Sequence, residues 1–151
     1  MATYSFLNVS ASLTGVGGSI NLASGAGVAE EGITIDAMED KNVMTIGADG
    51  EGMHSMVASR AGTITVRLLK TSPVNAQLQV MFNRQTSPGS LGHGSNTVVI
   101  RDSVRGDVIT CTGVAFKKLP SITYAKEGGM QEWTFDSIKT TYMLGVGTPE
   151  A

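Results

Sequence analysis

The chain has 151 residues, 41% hydrophobic and 16% charged, with 19 glycines and a formal net charge of -2. That length suits a single domain, 1–151, with one core, and the charge balance excludes the basic stripe that a nucleic-acid binder needs to displace counterions from phosphates. The single cysteine, Cys111, excludes an intrachain disulfide, and no window reaches the apolar length of a membrane span.

In chain order, MATYSFLNVS has neither a basic n-region nor a sustained apolar run, so it does not read as a signal peptide, and the protein is expected to be made and kept in the cytosol at first. The sequon Asn8-Val9-Ser10 has no meaning without a secretory route. Gly25-Ala26-Gly27 begins like a dinucleotide loop, but Glu30 stands where the third glycine belongs and no crossover helix follows, so a flexible loop is expected. Ile33, Ile35 and Ala37 alternate with Thr34 and Asp36 at strand period, and the polar turn Glu39 to Asn42 leads into a second strand, so residues 33–46 read as a β-hairpin. After the turn Ala48 to Gly52, residues 53–59 and 63–69 read as another strand pair, with Ile64, Val66 and Leu68 opposite Thr63, Thr65 and Arg67.

Ser72-Pro73 opens a helix expected over 73–85, with serine as cap and proline where its missing N–H is harmless. Val74, Leu78, Met81 and Phe82 fall on one helical face, Arg84 suits the C-terminal dipole, and Pro88-Gly89 closes the segment. A loop over 86–95 precedes strands near 96–102 and 107–116 around the turn Ser103 to Gly106. A last strand pair is expected near 131–138, with Trp133 and Phe135 on one face, and 140–146, with Tyr142 and Leu144 on one face. The tail 147–151 has no reason of its own to be ordered. The sum is an α+β domain of mainly antiparallel strands with one packed helix.

Catalytic patterns are incomplete. His54 and His93 are too few for a histidine-rich metal site, and with one cysteine a structural zinc is excluded, so neither metal nor cofactor is expected. His93 lacks the GxSxG elbow and parallel sheet that an esterase requires. Glu39 and Asp40 are adjacent, so their side chains diverge and read as a solvated turn, not as an acid-base pair. Asp49-Gly50-Glu51-Gly52 lacks the oxygens and spacing of a calcium loop and reads as a turn. Cys111 is expected to face a core. Met38, Met44, Met53, Met56 and Met81 read equally well as core residues or as subunit-contact residues.

Charge, by contrast, is organised. Up to Ser59 the acids Glu30, Glu31, Asp36, Glu39, Asp40, Asp49 and Glu51 face the single base Lys41, whereas the other bases all follow Ser59 and outnumber the acids there. Such a dipolar chain either faces a polyanion without sticking to it or stacks head to tail on its own copies.

The run EEGITIDAMEDKNVMTIGADGEGMHSM, then TVRLLKTSPVNAQL, then KLPSITYAKEGGMQEWTFDSI resembles, in that order, the tail tube proteins of contractile-tailed bacteriophages, over residues from Tyr4 to about Leu144. The resemblance implies two packed antiparallel sheets, as a sandwich or partial barrel, flanked by one helix. It implies rings of six subunits whose joined sheets close a β-barrel, stacked into a hollow tube in the virion tail. That tube fits within a sheath, with initiator or baseplate and terminator proteins at its ends, and DNA passes through it without specific binding. No enzyme and no membrane contact are implied. Asp36, by strand parity, is expected to face the lumen, while Glu39, Asp40, Asp49 and Glu51 are expected in the lumen or at ring-to-ring seams, where fixed negative charge repels phosphate and bases of the next ring can pair with acids. The loops 15–18 and 86–95 and the tail are places for sheath or neighbouring-ring contacts. The competing readings are a tube from a secretion or toxin-injection device and a monomeric β-sandwich binding module.

Overall fold

The computed structural model describes residues 4–15, 18–23, 28–87 and 93–145, with the backbone alone for 28–31. A short 3-10 turn, Phe6–Asn8, leads into strands β1 (Val9–Gly15), β2 (Gly18–Asn21), β3 (Val28–Ala37), β4 (Asn42–Ile46), β5 (Gly52–Met56) and β6 (Gly62–Leu69). Helix α1 (Val74–Thr86) follows, then β7 (Asn96–Asp102), β8 (Asp107–Lys118) and β9 (Met130–Met143). Seven strands form one antiparallel sheet in the order β2-β1-β7-β8-β9-β6-β3, and β4 pairs with β5 alone. This is the mainly antiparallel α+β fold with a single flanking helix that the sequence implies, its two sheets unequal in size.

Alternation explains the faces of β6. Ile64, Val66 and Leu68 are fully buried, while Thr63, Thr65 and Arg67 stand on the opposite, half-open face. β9 does the same with Trp133 and Phe135 against Thr134 and Asp136. Across the buried face lies α1, whose Val74, Leu78 and Met81 are buried at helical spacing. Phe116 ties the layers together, with ring centroids 5.6 Å from Phe82 on the helix, 6.1 Å from Trp133 and 4.9 Å from Phe135. Each of these contacts has the edge-on or tilted geometry that ring quadrupoles favour.

Polar groups entering this core beside the helix are paired. Trp133 Nε1 donates to Asn75 Oδ1 at 3.0 Å, and Gln85 and Asn96 exchange reciprocal amide bonds of 2.7 and 2.8 Å, locking the last helical turn to the start of β7. Ser72 Oγ accepts from Val74 N at 3.2 Å, the capping role its position predicts.

The large sheet curls on itself. β8 has an extra residue opposite β7 between Cys111 and Val114, and Gly113 there adopts φ +63°, a conformation that favours glycine at a bulge. As a result β3, at one edge, approaches the start of β1 near the other. A Cβ on Gly32 would lie 3.9 Å from Phe6 Cε1, and Phe6, Val9, Ile33, Ile35, Ile100 and Ile109 all pack against the core cluster.

Several expectations need correction. Residues 33–46 do not form a hairpin, because β3 pairs with β6 from Ala37↔Gly62 to Val28↔Leu68. Nor does 53–59 pair with 63–69, since β5 pairs with β4, from Asn42↔Met56 to Ile46↔Gly52. The two hairpins are nested, and the outer one wins because Ile33 and Ile35 reach the core only beside β6. The last strand pair, 131–138 and 140–146, is one strand, β9, which stays continuous because β6 pairs with its residues 130–137 and β8 with its residues 134–143, the two partners overlapping in the middle. Leu144 lies beyond it and is exposed. The hairpin β1-β2 was not anticipated, its alternation of Ala11 and Leu13 with Ser10, Ser12 and Thr14 being apolar only weakly. Helix, β7, β8 and the buried Cys111 follow the sequence closely. The loop Gly25 to Gly27, the stretch 88–92 of the 86–95 loop with its Pro88-Gly89 turn, residues 16–17 and the tail 147–151 lie outside the described residues.

Candidate assembly surfaces

Two features of this fold are not used by its own core. The first is the β4-β5 hairpin. It continues the β3-β6 ribbon through two hydrogen bonds, Met38 N to Ala61 O at 3.1 Å and Val57 N to Lys41 O at 2.9 Å, and the Lys41 ammonium donates to Ser59 O at its base. Beyond that base every residue of both strands is exposed. Cross-strand pairing puts Val43 and Met53 on one face and Met44, Ile46 and Met56 on the other. All five are more than half exposed, Met56 at 90%. A two-stranded ribbon is marginal alone in water, and a ribbon apolar on both faces gains from cover on both.

The second feature is the polar face of β3, β6 and β9. Register aligns Asp36, Thr63 and Asp136 in one row and Thr34, Thr65 and Thr134 in the next. In the third row Arg67 is held at 3.3 Å by Glu132 and donates to Thr34 Oγ1 at 2.9 Å. That base is therefore matched on its own face, and Asp36 and Asp136 give the face a negative bias. Asp136 was not singled out from the sequence, although its alternation with Trp133 and Phe135 is the same signal that marks Asp36 against Ile33 and Ile35.

The predicted site residues fall into three places. Asp36 lies exposed on the polar face; Glu39 and Asp40 are exposed in the connection at the base of the hairpin; Asp49 and Glu51 are exposed at its tip. At the tip Asp49 Oδ1 accepts from Glu51 N at 3.1 Å, Gly47 N bonds Glu51 O at 2.7 Å, and Gly50 takes φ +89°. Asp49 and Glu51 are brought together, and so are Glu39 and Asp40, but the five do not form one cluster.

Groups with chemical potential are otherwise structural. Burial pushes the Cys111 thiol up, against the hydroxyls of Thr140 and Ser137, so it carries no thiolate at neutral pH. Burial also raises the Tyr142 phenol, helped by the nearby Cys111 and Asp36. Among the described residues no three His, Cys, Asp or Glu side chains gather to hold a metal, and no helix is long and apolar enough to cross a membrane.

A family model described as bacteriophage PhiTE tail tube protein matches residues 1–145. No curated protein sequence matches the chain. Among solved structures, the tail of an empty GTA particle with C6 symmetry aligns at TM-score 0.58 and 11% identity, over 93% of this chain and 99% of the other. The tube-terminating cap of the anti-feeding prophage aligns at 0.55 and 11%, over 96% and 95%. The sheath/tube terminator of an extracellular contractile injection system, PVC, aligns at 0.55 and 13%, over 95% and 98%. At such identities the likeness is one of fold.

Proposed function

The chain belongs to the bacteriophage PhiTE tail tube family, and we propose from that premise that it is a structural subunit of a virion tail, forming six-fold rings that stack into a hollow tube for the genome. The whole chain acts as one tube domain, in a non-enzymatic role. The observation that carries this reading is the β4-β5 hairpin: five apolar side chains more than half exposed on both faces of an unsupported ribbon have no use in a monomer. Copies of the chain supply the cover. Joining sheet edges between copies also removes the open hydrogen-bonding rows of β2 and β3, which would otherwise recruit strands at random.

In this reading the polar face of β3, β6 and β9 lines the bore. Asp36 and Asp136 repel phosphate there and outnumber Lys118, which pairs with Thr134 at the end of the second row, so a polyanion slides instead of binding. Glu39, Asp40, Asp49 and Glu51, on and beside the projecting hairpin, belong to seams between rings. Sheath, initiator and terminator proteins are the further partners, and assembly takes place in the host cytoplasm.

Negative-stain microscopy of the purified protein tests the proposal: rings or tubes are expected, and a monodisperse monomer at every concentration would refute it. A second reading, the inner tube of an injection device, is supported by the injection-system structures of similar fold. Particles isolated with their sheath separate the two, since nuclease-protected DNA inside them belongs to a phage tail alone.

A further inference from the structure

We propose that the Asp49-Gly50 step at the tip of the β4-β5 hairpin is a site of spontaneous covalent modification, where the aspartate isomerises to isoaspartate faster than any other in the chain. The chemistry stands whether or not the subunit assembles.

The Gly50 backbone nitrogen, its proton passed to water, attacks Cγ of the protonated Asp49 carboxyl. The N–Cγ bond forms, the C–OH bond breaks, and the hydroxyl leaves with a solvent proton as water, closing a five-membered succinimide. Water then opens the ring. Addition at Cγ restores aspartate, whereas addition at the main-chain carbonyl carbon breaks its bond to nitrogen and leaves the peptide running through Cγ. One water leaves and one returns, so the product has the same mass, one more carbon in its main chain and a carboxylate on Cα.

The tip supplies what this reaction needs. No other Asp or Asn in the sequence is followed by glycine. Gly50 has no Cβ to crowd the attack, takes φ +89°, and has nothing within 4 Å of where a Cβ would stand, so its peptide has room to rotate. Its N–H is held by Gly47 O at 3.1 Å, among residues 47–51 that are all exposed, at the end of a ribbon that is marginal alone and therefore opens readily. Asp49 Oδ1 accepts from Glu51 N at 3.1 Å, which turns the carboxyl toward the backbone that follows it.

The fold denies the same to the other aspartates. Ser103 N, after Asp102, donates to Asn8 O at 3.1 Å, and the Asp102 carboxyl is taken by the N–H groups of Val104 and Arg105. Ser137, after Asp136, is buried between Gly62 and Val114. Ala37, after Asp36, pairs with Gly62, and Val108, after Asp107, pairs with Arg101. Asp40 is exposed, but Lys41 follows it with a Cβ and with its ammonium tied to Ser59 O. At the tip, by contrast, the added carbon falls in the turn that Gly47 N closes on Glu51 O at 2.7 Å, and the carboxylate leaves the side chain that holds Glu51 N.

The test ages the full chain, folded, in warm neutral buffer and reads isoaspartate peptide by peptide through methyl transfer from an isoaspartyl methyltransferase. Label at residue 49 is expected at least tenfold above that at Asp102 or Asp136, and Asp49→Glu, whose side chain would have to close a six-membered ring, abolishes it. Ageing in urea is the second measurement: unfolding raises the label at Asp102 and Asp136 severalfold, while the rate at Asp49 stays within fivefold of its folded value. No label at 49 in the folded protein, label there less than tenfold above the other two, label that survives Asp49→Glu, or a rate at 49 more than fivefold faster once unfolded overturns the proposal.

Discussion

Met56→Asp separates folding from assembly more sharply than any other single change. Met56 ends β5 and is 90% exposed, so the folded subunit has almost nothing to lose there, and its stability should stay within about 0.5 kcal/mol. In an assembly that covers the hairpin, burying this side chain is worth about 1.5–3 kcal/mol. Losing about 2 kcal/mol weakens each contact about 30-fold, since about 1.4 kcal/mol is a factor of ten. The carboxylate makes matters worse, because it would be taken out of water without a partner. The same loss recurs at every subunit, so tubes should vanish at concentrations where the unaltered protein polymerises. Met56→Leu, which keeps the apolar volume, should retain them. The assay pairs a thermal melt of the unassembled subunit with sedimentation and micrographs of the assembled one. Tubes of normal length from Met56→Asp would show that the hairpin is not covered, and a melt lowered by many degrees would show that it already packs within its own chain.

Three further outcomes follow from the core and its turns. Gln85→Met or Asn96→Leu alone removes two reciprocal buried amide bonds and should cost about 2–3 kcal/mol in urea unfolding, while the double variant costs less than the sum by about 1–3 kcal/mol, an additive result refuting the pairing. Gly113→Ala forces a side chain into φ +63° with Ile138 atoms 3.0 Å away, a penalty of about 1–2 kcal/mol that lowers the melting temperature by about 2–8 °C; an unchanged melt would show that the bulge relaxes freely. Asp102 is pushed up by burial, but the N–H groups of Arg105 and Val104 and the Arg105 guanidinium prevail and hold its carboxyl below the usual range. Its folded value thus lies below the unfolded one, so its contribution is present at neutral pH and disappears as pH falls below about 4. Asp102→Asn should flatten that acid limb in a series of melts against pH, and parallel limbs would refute the assignment.

Period-two and helical patterns specified which side of each element turns inward. Ile64, Val66 and Leu68, Trp133 and Phe135, and Val74, Leu78 and Met81 are buried as their spacing requires, because burial acts on each side chain where it stands in its own element. The same parity put Asp36 on the face away from Ile33 and Ile35, and turn chemistry marked Asp49 and Glu51. What spacing does not contain is the identity of the partner strand. β3 is equally consistent, residue by residue, with pairing to β4 or to β6, and the choice rests on the core that β6, β9 and α1 build together from distant parts of the chain. That choice turned β4-β5 from half of a buried sheet into a projecting hairpin and aligned Asp36 with Asp136 across Thr63. Local sequence settled the faces because they depend on near neighbours; the assembly surfaces emerged only from long-range register, which no single segment encodes.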